Sequence, residues 1–182
     1  MAFNVTEFRA NLVGDGARPN LFQVTLNFPT IANNNVSAGQ SSQFLIKSSQ
    51  LPGSTINMTN LYYFGREIKL AGNREFANWT VSVINDENFT IRNSLESWMN
   101  SINSHAGNVR ASGANNPSSY TVDATVTQYG KEGKGLQDYK FVGLFPVDLS
   151  PIDLNWQSNN EIEEYSVTFA YQYWTNVKST DI

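Results

Sequence analysis

Between residues 162 and 174 the chain alternates so regularly that it sorts itself into two faces. Tyr165, Val167, Phe169, Tyr171 and Tyr173 point one way, and Glu164, Ser166, Thr168 and Gln172 the other. Period-two alternation of aromatic and β-branched residues against small polar ones describes a strand with one face buried and one face wet. The register of such a strand is strongly specified, because a slip of one residue would turn the whole aromatic row into solvent. The segment demands a well-ordered sheet and carries no chemistry of its own.

Other stretches follow the same rule. Phe22, Val24, Leu26 and Phe28 alternate with Gln23, Thr25 and Asn27 before Pro29 removes a ladder donor. A second strand is expected over residues 43–48, ended by Leu51-Pro52-Gly53, and a third over 75–84, where Trp79, Val81 and Val83 share a face. Tyr120, Val122, Ala124 and Val126 alternate with Thr121, Asp123, Thr125 and Thr127. Residues 130–135 then make a turn, and a strand over 139–147 carries Phe141 and Phe145, its pairing limited by Pro146 and Pro151. Residues 31–42 and 108–119, rich in Asn, Ser, Gly and Ala, read as a loop and a linker.

The period changes once. Ile91, Leu95, Trp98, Met99 and Ile102 fall on one side of a helix expected over residues 88–105, with Asn85, Asp86, Glu87 and Asn88 as capping candidates and Gly107 as its stop. A core-facing helix explains that stripe better than a cofactor box does. Six or seven strands and one helix in 182 residues, 40% of them hydrophobic, predict a single mainly β domain. The expected fold is an antiparallel β-sandwich or barrel with one α-helix appended.

Residues 54–74 fit neither pattern. Ile56, Leu61, Tyr62, Tyr63, Phe64, Ile68 and Leu70 are too apolar for an idle loop, and Gly65 is placed to let the chain turn. The stretch reads as a long extended hairpin that must bury its aromatic cluster, against its own domain or against another molecule.

Charge and composition exclude several classes of function. Twelve basic against sixteen acidic residues leave a formal charge of −4, and no cluster of Lys and Arg marks a phosphate-binding surface. Charged residues are 15% of the chain, against about 25% in an ordinary soluble domain. A thinly charged surface is easily dehydrated by a protein partner, so self-association is expected. Without cysteine there is neither a disulfide frame nor a thiolate metal site. No run approaches the roughly 18 apolar residues of a membrane span. No secretory signal is evident, so the protein is expected to stay in the cytoplasm where it is made, with no membrane anchor.

The residues of catalysis are not assembled. The single His105 sits near the expected helix end, and no Gly-x-Ser-x-Gly elbow or metal-ligand spacing accompanies it. The run Gly130-Lys131-Glu132-Gly133-Lys134-Gly135 lacks the spacing and the hydroxyl residue of a phosphate loop and precedes a strand where a helix would be required. Glu163 and Glu164 face opposite sides of their strand and cannot share one substrate bond. No enzyme activity, cofactor or metal is expected. Trp79, Trp98, Trp156 and Trp174 raise the question of a carbohydrate-binding sandwich, but most of them fall in predicted core rows.

Longer strings are more specific. Ala17-Arg18-Pro19-Asn20-Leu21-Phe22-Gln23-Val24, the Leu51-Pro52-Gly53 turn, the run from Gly65 through Phe76 and the run from Trp79 through Glu87 resemble the tail tube proteins of contractile-tailed, T-even-like bacteriophages. Gly143-Leu144-Phe145-Pro146, the run from Leu154 through Ile162 and Tyr173-Trp174 resemble the same family's C-terminal block. The match covers most of the chain in order. It departs from the family over residues 31–40 and 109–119 and in a short tail beyond Trp174.

The resemblance implies a subunit that forms hexameric rings, stacked into a tube inside a contractile sheath, through which DNA reaches the host. Its partners would be copies of itself, the tail sheath protein, and the baseplate and tail-terminator proteins, in a virion assembled in the host cytoplasm. Residues 54–74 would reach a neighbouring subunit or ring, with Ile56, Leu61, Tyr62, Tyr63, Phe64, Arg66, Ile68 and Arg74 in the contact. A conduit for DNA must not hold phosphates, so a polar or acidic lumen is expected. Its candidate lining is Thr121, Asp123, Thr125 and Thr127, or the row of Glu164, Ser166 and Thr168. The alternative is a tube of a related contractile injection or secretion system whose lumen carries a protein cargo.

Overall fold

The computed structural model describes residues 4–33 and 35–176. The expected tail beyond Trp174 therefore lies largely outside the described residues. In chain order the elements are α1 (Val5–Asn11), β1 (Phe22–Leu26), α2 (Asn35–Leu45), β2 (Ile46–Ser49), β3 (Thr55–Tyr63), β4 (Arg66–Glu75), β5 (Trp79–Ile84), α3 (Thr90–Ile102), α4 (Pro117–Tyr120), β6 (Val122–Tyr129), β7 (Gly135–Leu149), β8 (Glu164–Ala170) and β9 (Tyr173–Asn176). Every strand pairing is antiparallel, and the main sheet runs β1-β6-β7-β8-β5-β2 with β9 on β7. Among the described residues, strands β3 and β4 pair with each other alone. The mainly β, antiparallel architecture is the one the alternation implied.

The core lies where two parts of this sheet turn their inner faces toward one another. Trp79, Val81 and Val83 of β5 stand opposite Phe169, Val167 and Tyr165 of β8, and all six are buried. From β1, β6 and β7 come Val24, Leu26, Ala124, Val126 and Phe141. Trp79 stacks on Phe141 at 4.3 Å between ring centroids.

The sheet bends at one place. Gly143 adopts φ +67°, and a Cβ there would come within 2.9 Å of Gln172 Cγ, so a side chain is excluded on two counts. At the same level the partner strand breaks into β8 and β9. Their pairing with β7 continues in step from Phe145↔Ala170 to Val142↔Tyr173. The inward row is therefore Tyr165, Val167, Phe169 and Tyr171 followed by Trp174, while Tyr173 is turned outward and exposed. The expectation that Tyr173 belongs to the buried row is corrected by this bend. Pro146 does not limit β7 either. It pairs with Phe169 beside a register shift, where an irregular ladder tolerates the missing donor.

Helix α3 buries Ile91, Leu95 and Trp98, as its stripe required. Trp98 donates its indole N–H to the Tyr120 carbonyl at 2.8 Å and meets the rings of Phe28 and Phe169. Its start is two residues later than expected, with Phe89 at the cap position in a left-handed conformation. Asp86 reaches forward to accept from the Thr90 backbone N–H at 2.9 Å and from its hydroxyl at 2.8 Å. The helix stops at Asn103, before Gly107.

Parts of the expected loop and linker are helical. Helix α2 takes residues 35–42 of the loop and also residues 43–45 of the strand expected over 43–48, so that β2 begins only at Ile46. Helix α4 takes residues 117–119 of the linker together with Tyr120, and α1 lies in the N-terminal segment, for which the sequence shows no periodicity. Helix α2 lies along β1 because its facing residues are small. Ala38 and Ser42 are buried, and Ser42 Oγ accepts from the Leu26 backbone N–H at 3.1 Å. The free edge of β1 is thereby satisfied by a helix side chain.

Candidate assembly surface

Strands β3 and β4 form a two-residue hairpin whose turn residues, Phe64 and Gly65, both have positive φ (46° and 79°), the requirement of a type I′ connection. Glycine takes that conformation freely, whereas a phenylalanine is held in it at a cost of about 1–2 kcal/mol. Register places Leu61 opposite Ile68 and Tyr63 opposite Arg66 on one face, with Thr59 and Leu70 behind them. The other face carries Tyr62 opposite Glu67, Asn60 opposite Lys69 and Met58 opposite Ala71. A bulge at Gly72 then brings Arg74 opposite Ile56. A Cβ on Gly72 would sit 2.8 Å from the Asn57 carbonyl oxygen.

Both faces are apolar in part, yet neither is covered. Tyr62 is 68% exposed, Leu61 55% and Phe64 92%. The hairpin does not fold back on its own domain. Among the described residues it is held at its root, where the Trp174 indole N–H donates to the Gly53 carbonyl at 3.1 Å and Phe76 lies 6.0 Å from Tyr171. An isolated two-stranded hairpin is marginal in water, so one carrying this much unburied side chain implies a partner surface. All eight contact candidates, Ile56, Leu61, Tyr62, Tyr63, Phe64, Arg66, Ile68 and Arg74, lie on this one arm.

The two candidate lumen rows fall on the polar faces of different parts of the sheet. Thr125 and Thr127 lie opposite Thr25 and Gln23, and opposite Lys140 and Asp138. Glu164, Ser166 and Thr168 lie opposite Ile84, Ser82 and Thr80, with the Thr80 and Thr168 hydroxyls 3.1 Å apart. Asp123 binds Lys140 at 2.8 Å and accepts from the Gly143 N–H, and Glu164 binds Lys47 at 2.6 Å. The hydrogen bond from Lys140 to Asp123 raises the lysine's pKa above its ordinary value. Thr121 does not belong to the first row. Its hydroxyl donates to the Pro117 carbonyl at 2.8 Å and closes α4, just ahead of the strand.

Further apolar residues stand exposed where no periodicity pointed to them. The connection between β7 and β8 leaves Trp156 fully exposed, with Leu154 at 80% and Ile162 at 71%. Val5 and Phe8 of α1 and Phe44 of α2 are also uncovered. The available signal was a large apolar residue set in an Asn- and Ser-rich run that offers it no core-facing row. Of the tryptophans, Trp79 and Trp98 are buried, Trp174 is half-buried and Trp156 is fully exposed. His105 is exposed, its backbone N–H donating to Asn100 Oδ1.

The subunit thus has a sealed core and an arm that its own domain leaves uncovered. The family model described as phage tail tube protein matches residues 17–177. The tail tube protein gp19 of Enterobacteria phage T4 is 36% identical over 167 residues, covering 91% of this chain and 95% of that one. The chain belongs to the phage tail tube protein family. A second relative, the tail tube protein of Serratia phage KSP90, is 26% identical over 171 residues, covering 92% of this chain and 93% of that one. Among solved structures, the tube-terminating cap of the anti-feeding prophage superposes with a TM-score of 0.63 at 17% identity, covering 90% of this chain and 91% of that one. A chain of the extended sheath-tube complex of an extracellular contractile injection system, PVC, superposes at 0.55 with 14% identity, covering 95% and 97%. At those identities the likeness is one of fold. As a tail tube family member this chain is a structural protein, a tube subunit of the virion.

Proposed function

We propose that the subunit closes into hexameric rings that stack into the inner tube of a contractile phage tail, along which DNA passes without specific binding. The observation that carries this reading is the β3–β4 arm, which bears apolar residues on both faces and is uncovered by its own subunit. Head-to-tail contacts of this kind close into a ring by rotation and extend into a filament by translation. The sheath, the baseplate and the tail terminator are the expected partners, met during assembly in the host cytoplasm. Structural relatives described as a sheath-tube complex and a sheath/tube terminator favour that set.

Passage of DNA fits the two polar rows. The lysines on these faces, Lys47 and Lys140, are each held by a carboxylate, which leaves the hydroxyls and amides of Thr, Ser and Gln to face a passing phosphate chain. Such a wall offers little counterion release and therefore little affinity. Negative-stain microscopy of the purified full chain, and of a variant lacking residues 57–66, tests the reading. The intact chain is expected to form rings and tubes, and the deletion a folded subunit that does not stack. Normal tubes from the deletion variant would refute the role of the arm.

A further inference from the structure

We propose that the β7–β8 connection, residues 150–163, is the surface that receives the hairpin of the next ring. The inference rests on the ring-stacking reading above and adds the second half of the contact. The two surfaces lie at opposite ends of the subunit. The hairpin root is tied to Trp174 in β9, while the connection leaves β7 at Leu149 and re-enters the sheet at Glu164. Along the paired strands β5 and β8, which run from Trp79↔Phe169 near the hairpin root to Ile84↔Glu164 at the connection, the separation is about 16 Å at roughly 3.3 Å per residue. A head-to-tail stack needs complementary surfaces placed at opposite ends in this way.

Chemistry matches the placement. The connection exposes Leu154, Trp156 and Ile162 to solvent, and an exposed tryptophan flanked by aliphatic residues is the composition of an interface anchor. Its charge is of one sign. Asp153 and Glu161 are exposed, and no Lys or Arg occurs between Lys140 and Lys178. The hairpin brings three cations, Arg66, Lys69 and Arg74, against two carboxylates, one of which, Glu75, already accepts from the Asn57 amide at 2.6 Å. Apolar meets apolar and the net charges are opposite, which also sets polarity, since two hairpins or two connections would repel.

The connection is held in place for such a role. Arg92 donates to the Ser150 carbonyl at 3.1 Å at one end, and Asn85 donates to Glu163 Oε2 at 2.8 Å at the other. Asn155 forms a turn within it, accepting from the Gln157 N–H at 3.0 Å.

Because the chain contains no cysteine, the contact is open to cross-linking. Phe64→Cys with Asn155→Cys in one chain, assembled under reduction and then mildly oxidised, is expected to give a covalent ladder that continues past six chains, with no ladder from either single variant. Tyr62→Cys with Trp156→Cys is the second pair, guarding against a local misfit. Tubes of normal length that yield no ladder from either pair, or a ladder stopping at six, would overturn this assignment alone, the latter placing the contact inside one ring. If the thiol of the Asn155→Cys single variant reacts with maleimide in finished tubes until sheath protein is added, the assignment is overturned in favour of a sheath surface. Failure of the unmodified chain to form tubes would instead refute the ring-stacking reading on which the assignment rests.

Discussion

Replacing Phe64 by glycine should leave the stability of the subunit nearly unchanged while it weakens the tube. In the subunit the ring is 92% exposed and buries almost nothing, while its backbone is held at φ +46°. Glycine removes a left-handed penalty of about 1–2 kcal/mol. It also returns roughly 0.5–1 kcal/mol to the unfolded chain as added freedom. The edge contact between Tyr63 and Phe64, at 4.6 Å and worth about 0.5–1.5 kcal/mol, is lost as well, so gains and losses nearly cancel and the net change lies within about 1.5 kcal/mol of zero. In the tube, a phenylalanine buried against a neighbour contributes about 1.5–3 kcal/mol per subunit. Its loss should raise the critical concentration for assembly about tenfold to a hundredfold. Denaturant unfolding of the dispersed subunit reads the first quantity, and sedimentation of tubes across a concentration series reads the second. An unchanged critical concentration would refute the argument that the hairpin tip is buried on assembly.

Three further substitutions, the last read in two ways, follow from the same geometry. Trp98→Ala empties the space between Phe28 and Phe169 and strands the Tyr120 carbonyl, so a loss of about 3–5 kcal/mol is expected in denaturant unfolding. Gly143→Ala forces a side chain into a left-handed bend against Gln172 and should cost about 1–2 kcal/mol by the same assay. The buried Tyr165 hydroxyl has no hydrogen-bond partner, so Tyr165→Phe should be neutral or stabilise by about 1 kcal/mol. Burial raises that phenol well above its ordinary value of 10.0, so above about pH 10 the unfolded chain releases a proton the folded chain keeps. Stability is then full below that pH and falls as pH rises, and Tyr165→Phe should lessen the fall in an alkaline melting series.

The parts of the fold legible in the sequence are those where one side chain in two, or one in three or four, meets the core. Val81, Val83, Val167 and Phe169 announced their strands in this way, and Ile91, Leu95 and Trp98 their helix, because burial on one face imposes a period. Helix α2 was not legible for a physical reason. It approaches the edge of β1 so closely that Ala38, Gly39 and Ser42 face it, and small residues leave no apolar stripe to read. The bend at Gly143 was hidden likewise, since a face change shared by both strands leaves the alternation of each looking intact up to Tyr171. Of the candidate surface, the hairpin stood out as apolar residues without a core-facing period. The β7–β8 connection did not, because Trp156 is set among polar residues that suggest only a loop.

The central claim is that the subunit completes itself only by joining copies of itself through an arm its own core leaves bare. Cryo-electron microscopy of the assembled tube tests this most directly. The account predicts stacked six-fold rings in which Leu61, Phe64 and Ile68 are buried against a neighbouring copy. A tube in which the hairpin projects freely into solvent, or a chain that remains a compact monomer when offered its baseplate, would contradict it.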